Sequence, residues 1–174
     1  MRYNEHDPKD DFKKINDFLS KGKDIALVVD SGTPAVSDPG GKLVNFVRRK
    51  VEEAEIKVVP GPSAVTAAIS VAGVPGNEFS FLGYPPSKNN RRDFFNKVSE
   101  VNVRPVVLYE SPHRLHKTFD DLIDSVGDIE IFVAKEMTKV YEDYFIGFVS
   151  DAKEYFSGKK KKGEFVIIVP EPSQ

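Results

Sequence analysis

Short β-branched runs, each closed by a loop rich in glycine and proline and followed by an amphipathic helix, constrain this chain more than any other feature. Ile25–Val29 (IALVV) has the length and composition of a strand buried on both faces. The loop Asp30–Gly41 (DSGTPAVSDPGG) follows it, and Leu43, Phe46, Val47 and Val51 then recur at helical spacing. Ile56–Val59 is a second run of the same kind; Pro60–Ser63 turns the chain into Ala64–Ala72, a helix of small residues that can pack closely. Parallel strands need such crossovers, so the order strand, loop, helix, strand, loop, helix is the grammar of a parallel sheet. Ahead of it, Asp7 and Pro8 open a helix that carries Phe12, Ile15, Phe18 and Leu19 on one face and ends at Gly22.

Gly73–Glu78 (GVPGNE) is short, polar and rich in turn residues, and predicts a boundary between domains at 1–75 and 79–170. Beyond it the pattern changes. Strands are predicted at Phe79–Gly83, Val106–Tyr109, Ile129–Lys135, Tyr141–Val149 and Glu164–Val169, with helices over Arg92–Glu100, after Ser111–Pro112, and over Asp151–Phe156. A tight turn near Met137–Lys139 makes two of these strands antiparallel neighbours, so the second sheet is mixed. The fold class is α/β, with a parallel-sheet first domain and a mixed-sheet second.

Composition closes several routes. The chain contains no cysteine, which removes disulfides and thiolate metal sites. A formal net charge of −2 gives no global field for a polyanion, so any nucleic-acid site must be a local patch. No apolar run approaches the roughly 18 residues that span a bilayer, and the acidic start MRYNEHDPKDD is unlike a secretory signal, which points to the cytoplasm.

Each candidate site has two readings. Asp30–Gly41 sits at the carboxyl end of a strand, where open α/β sheets bind ligands, and its glycines allow close backbone approach; the lesser alternative is a structural turn with a cap at Ser37 or Asp38. It matches neither G-x-G-x-x-G nor the Walker phosphate loop. Pro60-Gly-Pro-Ser-Ala64 repeats the arrangement, and Ser63 is either a seat for a carboxylate or ribose hydroxyl at a helix start, or a simple cap. Glu110 closes an apolar strand as an acid/base or cofactor contact, or as a cap for the next helix. His113 and His116 lack a third ligand at a metal-site spacing, so no metal is expected. Lys88-Asn-Asn-Arg-Arg92 beside Tyr84 is a compact basic patch suited to RNA phosphates and a stacked base, or to solubility; Lys159–Lys162 reads as a solvated loop.

Taken together, DSGTPAVSDPG, PGPSA, LGYPPSKNNRR, LYESPHRL, AKEMTKVYED and KKGEFVIIV occur in the order and spacing of one family. Over about Tyr3 to Val169 the sequence resembles the ribosomal RNA ribose 2′-O-methyltransferases of the tetrapyrrole methylase superfamily, which methylate a cytidine in the decoding region of small-subunit rRNA. A precorrin-type methylase usually carries G-D-P where this chain has Gly32-Thr33-Pro34.

The resemblance implies a two-domain homodimer with S-adenosylmethionine held between the domains, and ribosomal RNA or the small ribosomal subunit as partner. It implies cofactor contacts at the positions of Ser31, Thr33, Val36, Ser63, Ala64, Glu110 and Met137. A hydroxyl nucleophile needs a base or a cation that stabilises the developing alkoxide, and Glu110 and Lys135 are the candidates for these roles. Lys88, Arg91 and Arg92 would hold rRNA phosphate. The family opens with a βαβ unit ahead of the residues matching the first helix. That unit is not in this sequence, so the first domain is expected to be incomplete, with one wall of the cofactor site lacking. Two other readings are a methyltransferase acting on a tetrapyrrole or other small molecule, and a non-catalytic RNA-binding remnant.

Overall fold

Ten-residue-scale amphipathic segments and five apolar runs organise the chain into two compact units, Met1–Ser63 and Ala64–Gln174, in a computed structural model that describes residues 1–158 and 162–171. In the first unit, α1 (Lys9–Ser20) and α2 (Gly41–Lys50) bury Ile15 against Leu43 and Val47. The rings of Phe12 and Phe46 stack at 4.3 Å with almost parallel planes. The open amino end of α2 is met by Glu5, whose carboxylate accepts from Gly40 N (3.0 Å) and Lys42 N (3.1 Å). That pairing meets the first unpaired donors of the helix and favours its positive end.

The two runs expected to form strands in this unit do not form a ladder. Ile25–Val29 and Ile56–Val59 are extended but carry no strand assignment, and Val28, Val58 and Val59 are 81%, 78% and 83% exposed. Strand propensity supplies extended backbone; a strand also needs a neighbour to pair its N–H and C=O groups.

The second unit carries the sheet. Its strands are β1 (Ser80–Gly83), β2 (Val106–Glu110), β3 (Glu130–Lys135), β4 (Asp143–Phe148) and β5 (Phe165–Val169), in the order β1-β2-β5-β3-β4. Only β1 and β2 are parallel, joined through α4 (Arg91–Glu100); the other pairs are antiparallel, so the sheet is mixed as expected. Alternation sorts the side chains by face. Val106, Leu108, Ile131, Val133, Phe165 and Ile167 face α4, α5 (Leu115–Val126) and α6 (Val149–Ser157), where Phe95, Phe119 and Phe156 complete the core. Val107, Phe132, Ala134, Val166 and Ile168 face α3 (Ala64–Ala72), which buries Val65 and Ala68 on them. The small-residue helix thus belongs with the second unit, and the division falls after Ser63 instead of at the Gly73–Glu78 turn. Apolar burial of α3 on the sheet decides this; the polar turn after it is only a surface connection.

Candidate functional site

Two places gather the residues singled out by sequence. In the first unit the two Gly/Pro loops come together. Thr33 Oγ1 accepts from Gly61 N at 3.2 Å and lies 3.3 Å from Gly61 O, to which it donates. A Cβ at Gly61 would sit 2.4 Å from Gly32 O, so only glycine allows this approach of backbone to backbone. Ala35 (φ 69°) and Ser37 (φ 58°) hold left-handed conformations in the first loop, a local strain of the kind that accompanies ligand loops. Ser31 and Val36 are exposed there, Val36 by 50%. Thr33 therefore staples the loops to each other, while Ser31 and Val36 present themselves to solvent. Ser63 is half-buried at the end of the second loop.

In the second unit a small pocket opens on the α3 face of the sheet. Ala64, Ala134, Met137 and Val166 form its apolar wall, and Glu136, Lys139 and Glu164 its charged rim. Lys139 Nζ bridges Glu164 Oε2 (2.7 Å) and Glu136 Oε1 (2.9 Å), and Glu164 N donates to the same Glu136 oxygen at 2.9 Å. The hydrogen bond from Lys139 outweighs the upward push of burial and holds the Glu136 carboxyl below its usual range; Glu164 and then Glu136 raise Lys139 in return. Glu136 (φ 50°) and Thr138 (φ 63°) are both left-handed, so the turn carrying Met137 is bent sharply and tied at its base. A Cβ at Gly163 would lie 2.6 Å from Glu136 Cγ, which explains the glycine before Glu164. Ala64 and Met137, the cofactor positions that the resemblance implies here, both line this pocket. The Glu136–Lys139–Glu164 rim was not legible in the sequence, although Glu-x-x-Lys in EMTK and the Gly-Glu of KKGEF are its signals.

Glu110 is a correction. Its side chain is fully buried, and both oxygens are engaged: Oε1 accepts from Ser111 N at 2.6 Å and pairs with Arg114 at 2.9 Å, and Oε2 accepts from Thr118 Oγ1 at 2.6 Å. It also lies on the helix-packed face of the sheet, as shown by its register with Phe165, opposite to the face of Ala134 and Val166. A carboxylate so placed anchors structure: three of its roughly four acceptor sites are taken within the protein and none of its surface reaches solvent. Lys135 ends β3 in the same register row, two strands from Glu110 with Phe165 between them, and is buried to 8% exposure. The structure does not bring these two together, yet the charge of Lys135 reaches Glu136 on the pocket rim.

Arg91 is a second correction. Its guanidinium is 5% exposed and binds Asp121 (2.6 Å), Thr118 Oγ1 (2.8 Å) and Pro86 O (2.9 Å), so it is unavailable to phosphate. Lys88 and Arg92 are exposed, as are Tyr84 and His113. Lys159–Lys161 of the lysine run lie outside the described residues. Among the described residues no group of three His, Asp or Glu side chains is placed to hold a metal ion, and no helix is long and apolar enough to cross a membrane.

The chain is 41% identical to the "Ribosomal RNA small subunit methyltransferase I" of Thermotoga maritima over 97% of its length, spanning 75% of that relative. It is 41% identical to the protein of the same name from Neisseria meningitidis serogroup B over 95% of its length, and there spans 57% of the relative. Among solved structures, the methyltransferase CobJ superposes with a TM-score of 0.65 at 19% identity, covering 93% of this chain and 71% of that one. The uroporphyrin-III-C-methyltransferase of Thermus thermophilus gives 0.64 at 17% identity, covering 92% and 70%. Residues 4–153 match the model of the tetrapyrrole (corrin/porphyrin) methylases, and the chain belongs to that family.

Proposed function

We propose that this protein transfers a methyl group from S-adenosylmethionine to the ribose 2′-hydroxyl of a cytidine in small-subunit ribosomal RNA, acting in the cytoplasm as a homodimer. One observation carries the reading. Identity to relatives named for the small ribosomal subunit is 41% over nearly the whole chain, against under 20% to the corrin and porphyrin enzymes that share the fold. Gly32-Thr33-Pro34 in place of G-D-P supports the same branch.

The residues suit the cofactor. Small side chains at Ala64 and Ala134 and the soft sulfur of Met137 offer an apolar wall, and the rim of Glu136, Glu164 and the Lys139 that bridges them keeps one net negative charge toward a cationic ligand. The proposal assigns cofactor contacts to Ser31, Val36, Ser63, Ala64 and Met137, of which Ala64 and Met137 line the pocket described above. Thr33 acts by tying the loops that present them. The cofactor supplies the methyl group as a sulfonium; the protein's part is to orient, exclude water and favour the developing alkoxide. Lys135, on the opposite face of the sheet from the pocket wall, bears on it only through its charge beside Glu136, and Lys88 and Arg92 are assigned the binding of phosphate.

The test is incubation of the protein, at the length its gene encodes, with methyl-labelled cofactor and unmethylated small subunits, followed by nucleoside analysis. Label in 2′-O-methylcytidine is expected. Label confined to a tetrapyrrole offered in the same assay would overturn the RNA reading.

A further inference from the structure

A largely buried polar network in the second unit shares no residue with the pocket lining described above. Glu110, fully buried, accepts from Thr118 Oγ1 and Ser111 N and pairs with Arg114. The same Thr118 hydroxyl accepts from Arg91 at 2.8 Å, and Arg91 closes on Asp121 at 2.6 Å. Burying an acid and an arginine, with a second arginine half-buried beside them, is costly unless every group is met, so the network needs a purpose beyond filling space.

Its outward donors show that purpose. The one remaining arm of Arg91 donates to Pro86 O at 2.9 Å, and Arg114 NH1 donates to Pro85 O at 2.9 Å. Two guanidinium groups rooted on Glu110 and Asp121 thus grip consecutive carbonyls of the loop between β1 and α4. Arg114 also lies 5.9 Å from the centre of the Tyr84 ring, within cation–π range. The loop begins at Gly83 (φ 71°) and ends at Asn90 (φ 61°), both left-handed, and between them only Pro85 is buried. Tyr84 packs edge-on against Tyr109 at 5.4 Å, the tip formed by Ser87, Lys88 and Asn89 is polar and exposed, and Arg92 follows one residue into the helix.

We propose that Arg91 and Arg114 are positioning residues for the RNA substrate: rooted on Glu110, Thr118 and Asp121, they fix the Tyr84–Asn90 loop so that one aromatic face and the Lys88 and Arg92 charges meet RNA together. The inference rests on the RNA reading above. Arginine suits both positions because its rigid planar fork holds a carboxylate and a carbonyl in fixed, divergent directions, whereas a lysine ammonium is a point charge on a flexible stem.

The experiment uses Arg114→Lys, since Arg114 is 28% exposed and lysine keeps the charge facing Glu110. Thr118→Ser, which retains the bridging hydroxyl, is the conservative companion. Affinity for a transcript of the small-subunit rRNA decoding region and affinity for S-adenosylmethionine are measured on each, with amide exchange across residues 84–90. Arg114→Lys is expected to weaken RNA binding about fivefold, the equivalent of one net hydrogen bond, and to speed exchange in the loop, leaving cofactor affinity unchanged. Thr118→Ser is expected to match the parent. RNA affinity in Arg114→Lys equal to that of a parent that binds RNA overturns the inference alone. Equal losses of RNA and cofactor affinity also overturn it, since they reveal only general loosening. A parent without RNA affinity overturns the RNA reading and this inference with it.

Discussion

Thr118→Val removes one hydroxyl and leaves the shape of the side chain nearly unchanged, so it isolates the polar network from packing. In the parent that hydroxyl donates to Glu110 Oε2 at 2.6 Å and accepts from Arg91 at 2.8 Å, with all three groups buried. After substitution a fully buried carboxylate oxygen and a guanidinium N–H face a methyl group. A lost partner on a buried charged group costs at least 1–3 kcal/mol, and two are affected at once. The Coulomb attraction between Glu110 and Arg91 remains, and small shifts recover part of the loss. A destabilisation of about 2–4 kcal/mol is expected. At about 3 °C per kcal/mol for a chain of this size, the melting temperature should fall roughly 6–12 °C. Urea unfolding should show a lower midpoint at unchanged slope. A midpoint within about 0.5 kcal/mol of the parent would refute the reasoning, and would return Glu110 to consideration as a group free to act on a ligand.

Three further outcomes follow from the same geometry. Because the Lys139 hydrogen bond depresses Glu136, the stability it contributes is present above its ordinary value of 4.5 and is lost as pH falls through the lower folded value; Glu136→Gln should flatten the acid limb of a stability–pH curve, and an unchanged limb would count against the pairing. Thr33→Val breaks both bonds to Gly61 and should cost about 0.5–1.5 kcal/mol in the unfolding of the first unit; no loss of stability would mean that the hydroxyl does not tie the loops. Neutralising Lys88 and Arg92 should lower the slope of log RNA affinity against log salt by about 1.4 if both contact phosphate on a single strand, whereas an unchanged slope moves the contact elsewhere, with the Lys159–Lys162 run the next to be neutralised.

The second unit was readable because its signals are redundant. Each strand there is an apolar run with a ladder partner, and helices such as Leu115–Val126 carry a full apolar stripe, so propensity, period and burial agree. Ile25–Val29 and Ile56–Val59 carry equally strong strand composition, but pairing is a property of a neighbour and not of the run itself. The site was legible where residue type announces it: Gly32 and Gly61 tolerate the close approach of the two Gly/Pro loops that the structure shows. It was opaque where roles depend on contacts distant in sequence. Arg91 looks identical to Arg92 in the string KNNRR, yet one faces Asp121 and Thr118 inside while the other faces solvent. Glu110 ends its strand as a catalytic carboxylate would, and only the fold brings Thr118 and Arg114 onto it. The pocket rim needs a turn and a strand separated by some 25 residues, joined through Lys139.

The central claim is methyl transfer to RNA, and mass spectrometry of rRNA nucleosides tests it most directly. Small subunits from cells deprived of this protein are treated with the purified protein at its full encoded length and methyl-labelled S-adenosylmethionine, then digested. The account predicts label in 2′-O-methylcytidine from the small-subunit rRNA, reduced when Lys88 and Arg92 are neutralised together. Label on a base carbon or nitrogen, on a tetrapyrrole in the same mixture, or on no RNA at all would contradict it.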